Sequence, residues 1–333
     1  MFSTNDIFCK HCVNPQGLGI INPNTQKEMK FFMGNNGIVC ELCQEIISTN
    51  NLPSREQFNE ELTTFLNANH RILFAYSGGL DSTVVLAKLN DECQRRGIDL
   101  RLFTVNTEVK GRVAMQNVDA VLRHLGLNAQ HFYIDISQQI QHSPKIMELT
   151  GKPMTTVDVY RYCLTQGILP CGKTCNIMID QAYDQAMATL NFQVLVTGGD
   201  TPKKNSLGVY SLFWKKPSGI TIVRGGYGLA LTKELNAKFI SEHGIPWIHP
   251  QCGGYDTDCL VPGVFFSDRL NGQPEQEAKM TVTQFPIILD YLAERVRFGV
   301  INRDQGLQLL TRVDIASSES HRELMDILNR INP

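Results

Sequence analysis

Residues 71–88 read Arg-Ile-Leu-Phe-Ala-Tyr-Ser-Gly-Gly-Leu-Asp-Ser-Thr-Val-Val-Leu-Ala-Lys, and this stretch decides the fold class. Its apolar run, residues 72–76, has the length of a buried parallel strand. Ser77–Ser82 then forms a glycine-rich turn, and the apolar residues from Val84 onward repeat at helical spacing. Glycines let the backbone approach a ligand closely, and a helix start offers free N–H groups and the positive end of its dipole. The stretch therefore predicts a strand, an anion-binding turn and a helix.

The hexapeptide Ser77-Gly78-Gly79-Leu80-Asp81-Ser82 resembles the pyrophosphate loop of the N-type ATP pyrophosphatases, the PP-loop superfamily. The resemblance implies that the loop holds the β- and γ-phosphates of ATP with Mg²⁺, and that AMP and pyrophosphate are the products. It assigns phosphate binding to Ser77, Gly78, Gly79 and Ser82, and a catalytic place beside the Mg²⁺ to Asp81. An ordinary tight turn is the alternative, but every position of the motif is matched between a predicted strand and a predicted helix.

The size and composition indicate an ordinary soluble protein of about two domains. The chain has 333 residues, 42% of them hydrophobic, and a net charge of −2, so nothing attracts it globally to nucleic acid. It contains no apolar run of about 18 residues, which a transmembrane helix would need. The N-terminus lacks the basic and apolar segments of a signal peptide. We therefore expect a cytoplasmic protein without a membrane partner.

Four cysteines near the N-terminus predict a metal site. Cys9 and Cys12 form one C-x2-C pair, and Cys40 and Cys43 form a second, which is a strong pattern for tetrahedral Zn²⁺. Four thiolates leave no open coordination position, so we expect a structural zinc ribbon over residues 1–48 whose folding depends on its metal. Four free buried thiols are the alternative.

The central part of the chain predicts an α/β fold. Residues 49–70 indicate a linker with one amphipathic helix, and residues 71–260 alternate strand and helix. This alternation predicts a doubly wound, mainly parallel sheet, which by the family resemblance is adenine nucleotide alpha hydrolase-like. Residues 145–170 form a less regular stretch. The predicted strands are 72–76, 100–106, 131–135, 192–200 and 220–223, and the predicted helices between them include 111–125 and 175–190.

In such a sheet, ligands bind at the carboxyl ends of the strands, so the loops after three of the strands should meet there. The resembled family cradles adenosine after its second strand, here at Asn106, and its fourth-strand turn, here Thr197–Asp200, also faces the nucleotide. The resemblance thus implies nucleotide contacts from Asn106, Gly198 and Asp200. The thiolating relatives carry Gly-His followed by acidic residues in that turn, so the role of Asp200 stays open.

A second cysteine set lies further along the chain. Cys171 and Cys175 open a predicted helix, and Cys252 follows another helix and a Gly-Ile-Pro segment. The layout resembles the tRNA 2-thiolation branch of the superfamily, in which three such thiolates hold a catalytic [4Fe–4S] cluster. It implies that role for Cys171, Cys175 and Cys252, with Cys259 as the alternative third ligand. The relatives have C-x2-C where this chain has C-x3-C, so a second zinc site, persulfide chemistry and buried thiols stay open.

The segment Gly167–Thr174 formally matches the Walker A pattern, which would make the protein a P-loop NTPase acting through Lys173. A true P-loop follows a strand, and residues 160–166 are only weakly strand-like. The reaction products discriminate between the two loops, because Lys173 would yield ADP and phosphate.

Residues 261–333 predict a mostly helical C-terminal region. Residues 295–310 and the first cysteine ribbon resemble the N-acetyl sugar amidotransferases of surface polysaccharide synthesis, which also carry a PP-loop. A helical lid or a homodimer surface without chemistry is the alternative for this region.

Both resembled branches imply that ATP adenylates a carbonyl oxygen of the substrate and that a sulfur or ammonia nucleophile then displaces AMP. We predict sulfur transfer, because the second cysteine set has no use in amidation. The amidotransferase alternative would need a glutaminase partner, and sulfur transfer would need a sulfur donor. A zinc-ribbon adaptor whose ATP-binding domain no longer turns over is a third hypothesis. A tRNA base, a small metabolite and a nucleotide sugar all remain open as acceptors.

Overall fold

A six-stranded sheet with helices on both faces forms the centre of the molecule. The structure is a computed structural model, and it describes residues 8–17, 27–34, 37–49, 52, 54–107, 109–135, 140–166, 175–204, 208–216, 218–230, 232–249, 278–281, 286–310, 313–316 and 318–329. In chain order the strands are β1 (Phe31–Gly34), β2 (Gly37–Cys40), β3 (Arg71–Ala75), β4 (Asp99–Asn106), β5 (His131–Asp135), β6 (Val194–Thr197), β7 (Lys203–Lys204), β8 (Tyr210–Ser211), β9 (Phe213–Lys215), β10 (Thr221–Arg224), β11 (Ala278–Thr281) and β12 (Val313–Ala316).

The helices alternate with the strands through the central part, and the C-terminal part is mostly helical. They are α1 (Glu41–Thr49), α2 (Arg55–Ala68), α3 (Leu80–Arg96), α4 (Arg112–His124), α5 (Pro144–Thr150), α6 (Thr156–Thr165), α7 (Cys175–Leu190), α8 (Gly226–Leu229), α9 (Lys233–Glu242), α10 (Pro286–Arg297), α11 (Arg303–Leu310) and α12 (Ser318–Asn329).

The strand order of the main sheet is β5-β4-β3-β6-β10-β9. Every neighbouring pair is parallel except β10 with the edge strand β9. The strand that precedes the glycine-rich turn lies in the middle, where Phe74 is the register partner of both Leu102 and Val196. The predicted doubly wound, mainly parallel sheet is therefore confirmed.

The core has two layers, one on each face of this sheet. Successive residues of a strand point to opposite faces, so Ile72 and Phe74 pack in one buried cluster and Leu73 packs in the other. The first cluster takes its helical side chains from α2, α3, α4, α8 and α9. The second takes them mainly from α6, α7 and α12. Helices on both faces explain why the central strands are continuous apolar runs.

The glycine-rich turn is held at a fixed place because α3 has well-defined ends. The helix begins after Gly79, carries Asp81 in its first turn and has Arg95 and Arg96 in its last turn, which suits its dipole. It ends at Gly97, whose backbone is left-handed (φ 67°) and whose N–H donates to the carbonyls of the last turn.

The N-terminal and C-terminal parts share a third buried cluster. It joins the four N-terminal cysteines and Val13 to apolar side chains of α10 and α11. In addition, Arg303 Nε donates to the backbone carbonyl oxygens of Cys9 (3.2 Å) and Cys12 (3.3 Å). The predicted helical C-terminal part is confirmed, while the domain boundaries at residues 48, 70 and 260 stay predictions.

The structure adds regular elements that the sequence did not predict. Residues 145–170 contain the short helices α5 and α6, separated by Gly151 in a left-handed conformation (φ 74°) and by Pro153. The edge strand β9 and the antiparallel pair β11–β12 were also not predicted. Within the described residues, no helix is both long enough and apolar enough to cross a membrane.

Candidate active site

A cavity of about 810 Å³ opens at the carboxyl ends of the parallel strands. Its wall includes the turn after β3, the turn after β6 and the end of β10. Residues of the helices α5, α7, α9 and α10, of the strands β7 and β9, and of the segment after α9 complete the described part of the wall. This is the position in which doubly wound sheets bind their ligands, and the volume is in the range of small-molecule sites.

The backbone of the glycine-rich turn requires glycine at residue 78. Gly78 has φ 82°, and a Cβ there would lie 2.6 Å from the carbonyl oxygen of Ala114 in α4. Two hydrogen bonds from distant residues hold the turn: Trp247 Nε1 donates to Gly78 O (2.9 Å), and Lys110 Nζ donates to Ser77 O (2.9 Å). The turn is thus fixed in shape before any ligand arrives.

The N-terminus of α3 is open toward the cavity. Its N-cap residue, Gly79, has no side chain to accept a hydrogen bond from the first turn, and residues Leu80, Asp81 and Ser82 line the cavity. The first N–H groups of a helix have no partner within the helix. Ser77 Oγ lies 2.9 Å from Ser82 Oγ, so two hydroxyls flank this helix start. Such an arrangement is suited to bind phosphate oxygens.

A residue from the second half of the chain pairs with the acidic residue of the turn. Lys233 Nζ donates to Asp81 Oδ2 (2.7 Å), and Asn236 Nδ2 donates to Asp81 Oδ1 (2.7 Å). Burial raises the pKa of the Asp81 carboxyl, but the charge and hydrogen bond of Lys233, with Arg295 and Asn236, outweigh it and lower the pKa overall. Asp81 is therefore ionised and fixes the ammonium group of Lys233 at the cavity wall.

The turn after β6 packs directly on the glycine-rich turn. A Cβ at Gly198 would lie 3.0 Å from Ser82 Cβ, so only a residue without a side chain lets the two turns touch at this distance. Asp200, at the end of the same turn, is buried and forms an ion pair with Arg295 of α10. Asn106 ends β4, opposite Asp135 of β5. Of the predicted nucleotide-binding residues in the described part, Ser77, Gly79, Asp81, Ser82 and Gly198 belong to the wall of the cavity, whereas Gly78, Asn106 and Asp200 do not.

The four N-terminal cysteines come together as the sequence predicts. Their sulfur atoms all lie within 4.8 Å of one another, and all four residues are buried. Hydrogen bonds from the neighbouring thiols lower the pKa of Cys9 well below its usual range and lower the pKa of Cys40 to about 7. In contrast, burial raises the pKa of Cys12. The hydrogen bond of Cys12 lowers the pKa of Cys43, but the hydrogen bonds of Cys40 and Cys9 outweigh it and raise that pKa overall. Two of the four thiols thus ionise readily to thiolates, the form that binds metal ions, and the four converging sulfur atoms constitute a candidate metal site.

The second cysteine set is only partly visible. Cys171, Cys252 and Cys259 lie outside the described residues, and so does the Walker-like segment Gly167–Thr174. Cys175 is half-buried at the start of α7, with its Sγ 3.1 Å from the Tyr160 hydroxyl, and the next residue, Asn176, lines the cavity. The ligand roles of this set stay predictions.

Several site residues were not predicted from the sequence. Lys233, Asn236 and Arg295 contact the turns of the site from remote parts of the chain, and Arg224 enters the cavity from the end of β10. The one local signal was Thr232, which caps α9 by accepting a hydrogen bond from Leu235 N and so marks the next residue, Lys233, as a helix start.

Comparisons with known proteins agree with this geometry. Residues 37–169, less than half of the chain, match the family model of asparagine synthase, a PP-loop ATP pyrophosphatase family. The matched segment contains the glycine-rich turn, its strand and its helix. The resemblance to the PP-loop ATP pyrophosphatases is thereby confirmed.

Two individual proteins are similar over most of their length. The uncharacterized protein MJ1599 of Methanocaldococcus jannaschii is 20% identical over 281 residues, which are 82% of this chain and 85% of that protein. The U34-tRNA thiolase NcsA of Methanococcus maripaludis, solved with its [4Fe–4S] cluster, aligns with 87% of this chain and 88% of its own at 10% identity and a TM-score of 0.39. A TM-score this low does not establish a shared fold.

Proposed function

We propose that the protein is an ATP pyrophosphatase-type adenylating enzyme that transfers AMP to a carbonyl oxygen of its substrate. The observation that carries the proposal is the uncapped start of α3 at the wall of a cavity, with Ser77 and Ser82 flanking it and Lys233 fixed beside it. Backbone N–H groups, a helix dipole and an ammonium group all favour a multiply charged anion in one place. The family match over residues 37–169 supports ATP as that anion.

In the proposed reaction, the carbonyl oxygen attacks the α-phosphorus, and the bond from the α-phosphorus to the bridging oxygen breaks. The electron pair of that bond leaves with pyrophosphate, whose growing charge must be stabilised. The helix start and the two hydroxyls bind its oxygens, and Lys233, fixed by Asp81, supplies a positive charge without having to reorganise. Bound Mg²⁺ supplies further positive charge at the phosphate oxygens. Both oxygens of Asp81 already accept hydrogen bonds, which fits an outer partner and not a direct ligand.

In the second half-reaction, we propose that a sulfur nucleophile attacks the adenylated carbon and AMP leaves with the C–O electron pair. Cys175 supports sulfur because it opens α7 immediately before a residue of the cavity wall. Cys171 and Cys252 are proposed to complete its site, as ligands of a [4Fe–4S] cluster that would present the sulfur. The acceptor is proposed to be a tRNA base or a small molecule.

The N-terminal cysteines are proposed to hold a single Zn²⁺ ion. With Zn–S bonds of about 2.3 Å, tetrahedral geometry places neighbouring sulfurs about 3.8 Å apart. The distance from Cys12 Sγ to Cys40 Sγ is 3.7 Å. A cluster of four irons would hold its thiolates further apart, so these donors suit one ion, and the ion would have no open position for chemistry.

A second candidate function is amide formation with ammonia as the nucleophile, on an N-acetyl sugar. The family match favours it, because the model is named for an enzyme whose product is an amide. This function would leave the second cysteine set without a role and would need ammonia from a glutaminase partner.

Product analysis tests the adenylating function. Wild-type protein and Asp81→Asn are incubated with ATP labelled at the α-phosphate, Mg²⁺ and an extract of small RNA and metabolites as a source of acceptor. We expect the wild type to release labelled AMP together with unlabelled pyrophosphate. The variant should release much less of both products. Labelled ADP with free phosphate would reject the proposal in favour of the loop at Gly167–Thr174. Anaerobic metal analysis with a visible absorption spectrum then separates the two nucleophiles, because only the sulfur hypothesis predicts iron.

A further inference from the structure

The end of β10 places a second positive charge in the cavity. Arg224 is half-buried, lines the cavity and is the register partner of Thr197 in β6. Strands of a sheet are about 4.8 Å apart, so β10, two strands from β3, lies about 10 Å from the strand that carries the glycine-rich turn. Arg224 is therefore a neighbour of the phosphate site and not a part of the helix start.

The guanidinium group of Arg224 has no acidic partner among the residues that the structure describes. Its Nη2 donates a long hydrogen bond to Thr201 Oγ1 (3.4 Å), and its Nε is buried without a hydrogen-bond partner in that part of the chain. One side of the group lies against backbone, since a Cβ at Gly199 would be 2.7 Å from the guanidinium carbon. A buried donor of this kind costs free energy unless something accepts its hydrogen bond.

Each described acidic residue of the cavity wall pairs with a lysine, although Lys216 is shared between Asp180 and Asp184. Asp81 is paired with Lys233 (2.7 Å). Asp180 is paired with Lys216 (2.9 Å), and Glu294 is paired with Lys203 (2.7 Å). None of these described carboxylates is paired with Arg224.

The wall that contains Arg224 also contains apolar and aromatic side chains. Ile222 and Trp214 line the same part of the cavity from β10 and β9, and Tyr183 lines it from α7. Burial raises the pKa of the Tyr183 phenol to about 12, with the nearby charge of Arg224 acting in the opposite direction. A partly buried guanidinium group binds carboxylate or phosphate strongly, through two parallel hydrogen bonds.

We propose that Arg224 forms a second anion subsite, which binds a carboxylate or phosphate group of the acceptor substrate beside the nucleotide. The proposal depends on the proposed adenylating function, because it assigns the glycine-rich turn to ATP and the end of β10 to the acceptor. The acceptor is then an anionic molecule, with an apolar or planar part that contacts Trp214 and Ile222. The Arg224 subsite orients the carbonyl oxygen of the acceptor toward the α-phosphate.

The test measures anion binding while the phosphate site is filled. Inorganic phosphate, and in a second arm acetate, is titrated calorimetrically into protein saturated with α,β-methylene-ATP and Mg²⁺. The variants are Arg224→Gln and, as the matched control, Arg101→Gln, whose guanidinium pairs with Asp99 (2.9 Å) outside the cavity wall. We expect saturable binding of at least one of the two anions to the wild type and to Arg101→Gln. Arg224→Gln should weaken it by at least about tenfold. The arm with the tighter binding identifies the anionic group as phosphate or carboxylate.

Equal anion affinity in the wild type and in Arg224→Gln would overturn the subsite. Anion binding that occurs without the nucleotide analogue and is abolished by it would also overturn the subsite, since Arg224 would then bind ATP. If Arg224→Gln does not fold, Arg224→Lys keeps the charge but loses the planar fork, and unchanged affinity in that variant would also reject the proposal. A wild type that does not bind the analogue refutes the proposed function. A wild type that binds the analogue but neither anion refutes only the subsite.

Discussion

Arg295 Nε lies 3.0 Å from Asp200 Oδ2, and the two residues are only 1% and 3% exposed. This ion pair joins helix α10 of the C-terminal part to the turn after β6. The same turn contains Gly198, which contacts Ser82 of the glycine-rich turn. Helix α10 of the C-terminal part is therefore attached to a turn of the candidate active site and is not a detached lid.

Loss of Arg295 should be strongly destabilising. Arg295→Met leaves the Asp200 carboxylate buried without its cation, and breaking a buried pair in this way costs about 3–5 kcal/mol of unfolding free energy. Urea denaturation measures the change. Lys238→Gln, which removes an exposed pair with Glu242 (3.6 Å), should change stability by no more than about 0.5 kcal/mol.

The double variant Arg295→Met with Asp200→Asn separates the pair from the packing of the arginine. Because no charge is then left unpaired, it should be more stable than Arg295→Met alone. A double variant as unstable as the single one would show that the ion pair contributes little.

The four-cysteine cluster should affect the active site through the same helix. Its sulfurs share a buried cluster with Leu292 and Val296 of α10, which flank Arg295 along the chain. Cys43→Ser should lose one bound metal ion per chain, lower the melting temperature and reduce pyrophosphate release. Metal analysis, thermal unfolding and the product assay measure these three effects.

Cys93→Ala is the matched control for the metal prediction, because Cys93 is also buried but lies in the cluster around β3 and α3. It should keep its metal in full. Full metal occupancy in Cys43→Ser would contradict the assignment of the four thiols as one site.

Gly78 should tolerate no side chain. Gly78→Ala meets both a left-handed backbone (φ 82°) and a contact of 2.6 Å with Ala114 O, so it should displace the turn and abolish binding of α,β-methylene-ATP. Gly97→Ala has the same kind of backbone (φ 67°) with nothing within 4 Å, so it should cost only about 1 kcal/mol and leave nucleotide binding intact. Equal nucleotide affinity in the two variants would show that the shape of the turn does not determine binding.

Local patterns predicted the sheet, the turn and the cysteine cluster because each is encoded by neighbouring residues. The apolar run before Ser77, the two glycines and the C-x2-C pairs all act at short range. Lys233 could not be found in this way, since it contacts Asp81 across 152 residues of chain. Arg295 resembled a surface residue of a helical tail, because charged side chains are rarely buried and no local signal marks the exceptions. Short elements such as α5 and α6 were missed because Gly151 and Pro153 interrupt their periodicity.

His131 should make stability depend on pH, because burial penalises its charged form. Thr104 Oγ1 donates to Tyr76 O (2.8 Å) and lies 2.8 Å from His131 Nε2, which therefore carries the proton and donates to the threonine. Burial lowers the pKa of His131 to about 4, against an ordinary value of 6.5. Between these two pKa values the unfolded chain binds a proton that the folded chain does not. The contribution of His131 to the free energy of unfolding therefore grows from pH 4 to pH 6.5 and is fully present above pH 6.5.

Urea denaturation at pH 5 and pH 7.5 measures this contribution of His131 as a difference between variants. His131→Gln keeps a donor for Thr104 but does not titrate, so it should lose less stability than the wild type when the pH falls from 7.5 to 5. His124→Gln, at an exposed histidine near the end of α4, should lose as much as the wild type. If His131→Gln and the wild type lost the same amount of stability, the buried neutral histidine would not be the source of the pH dependence.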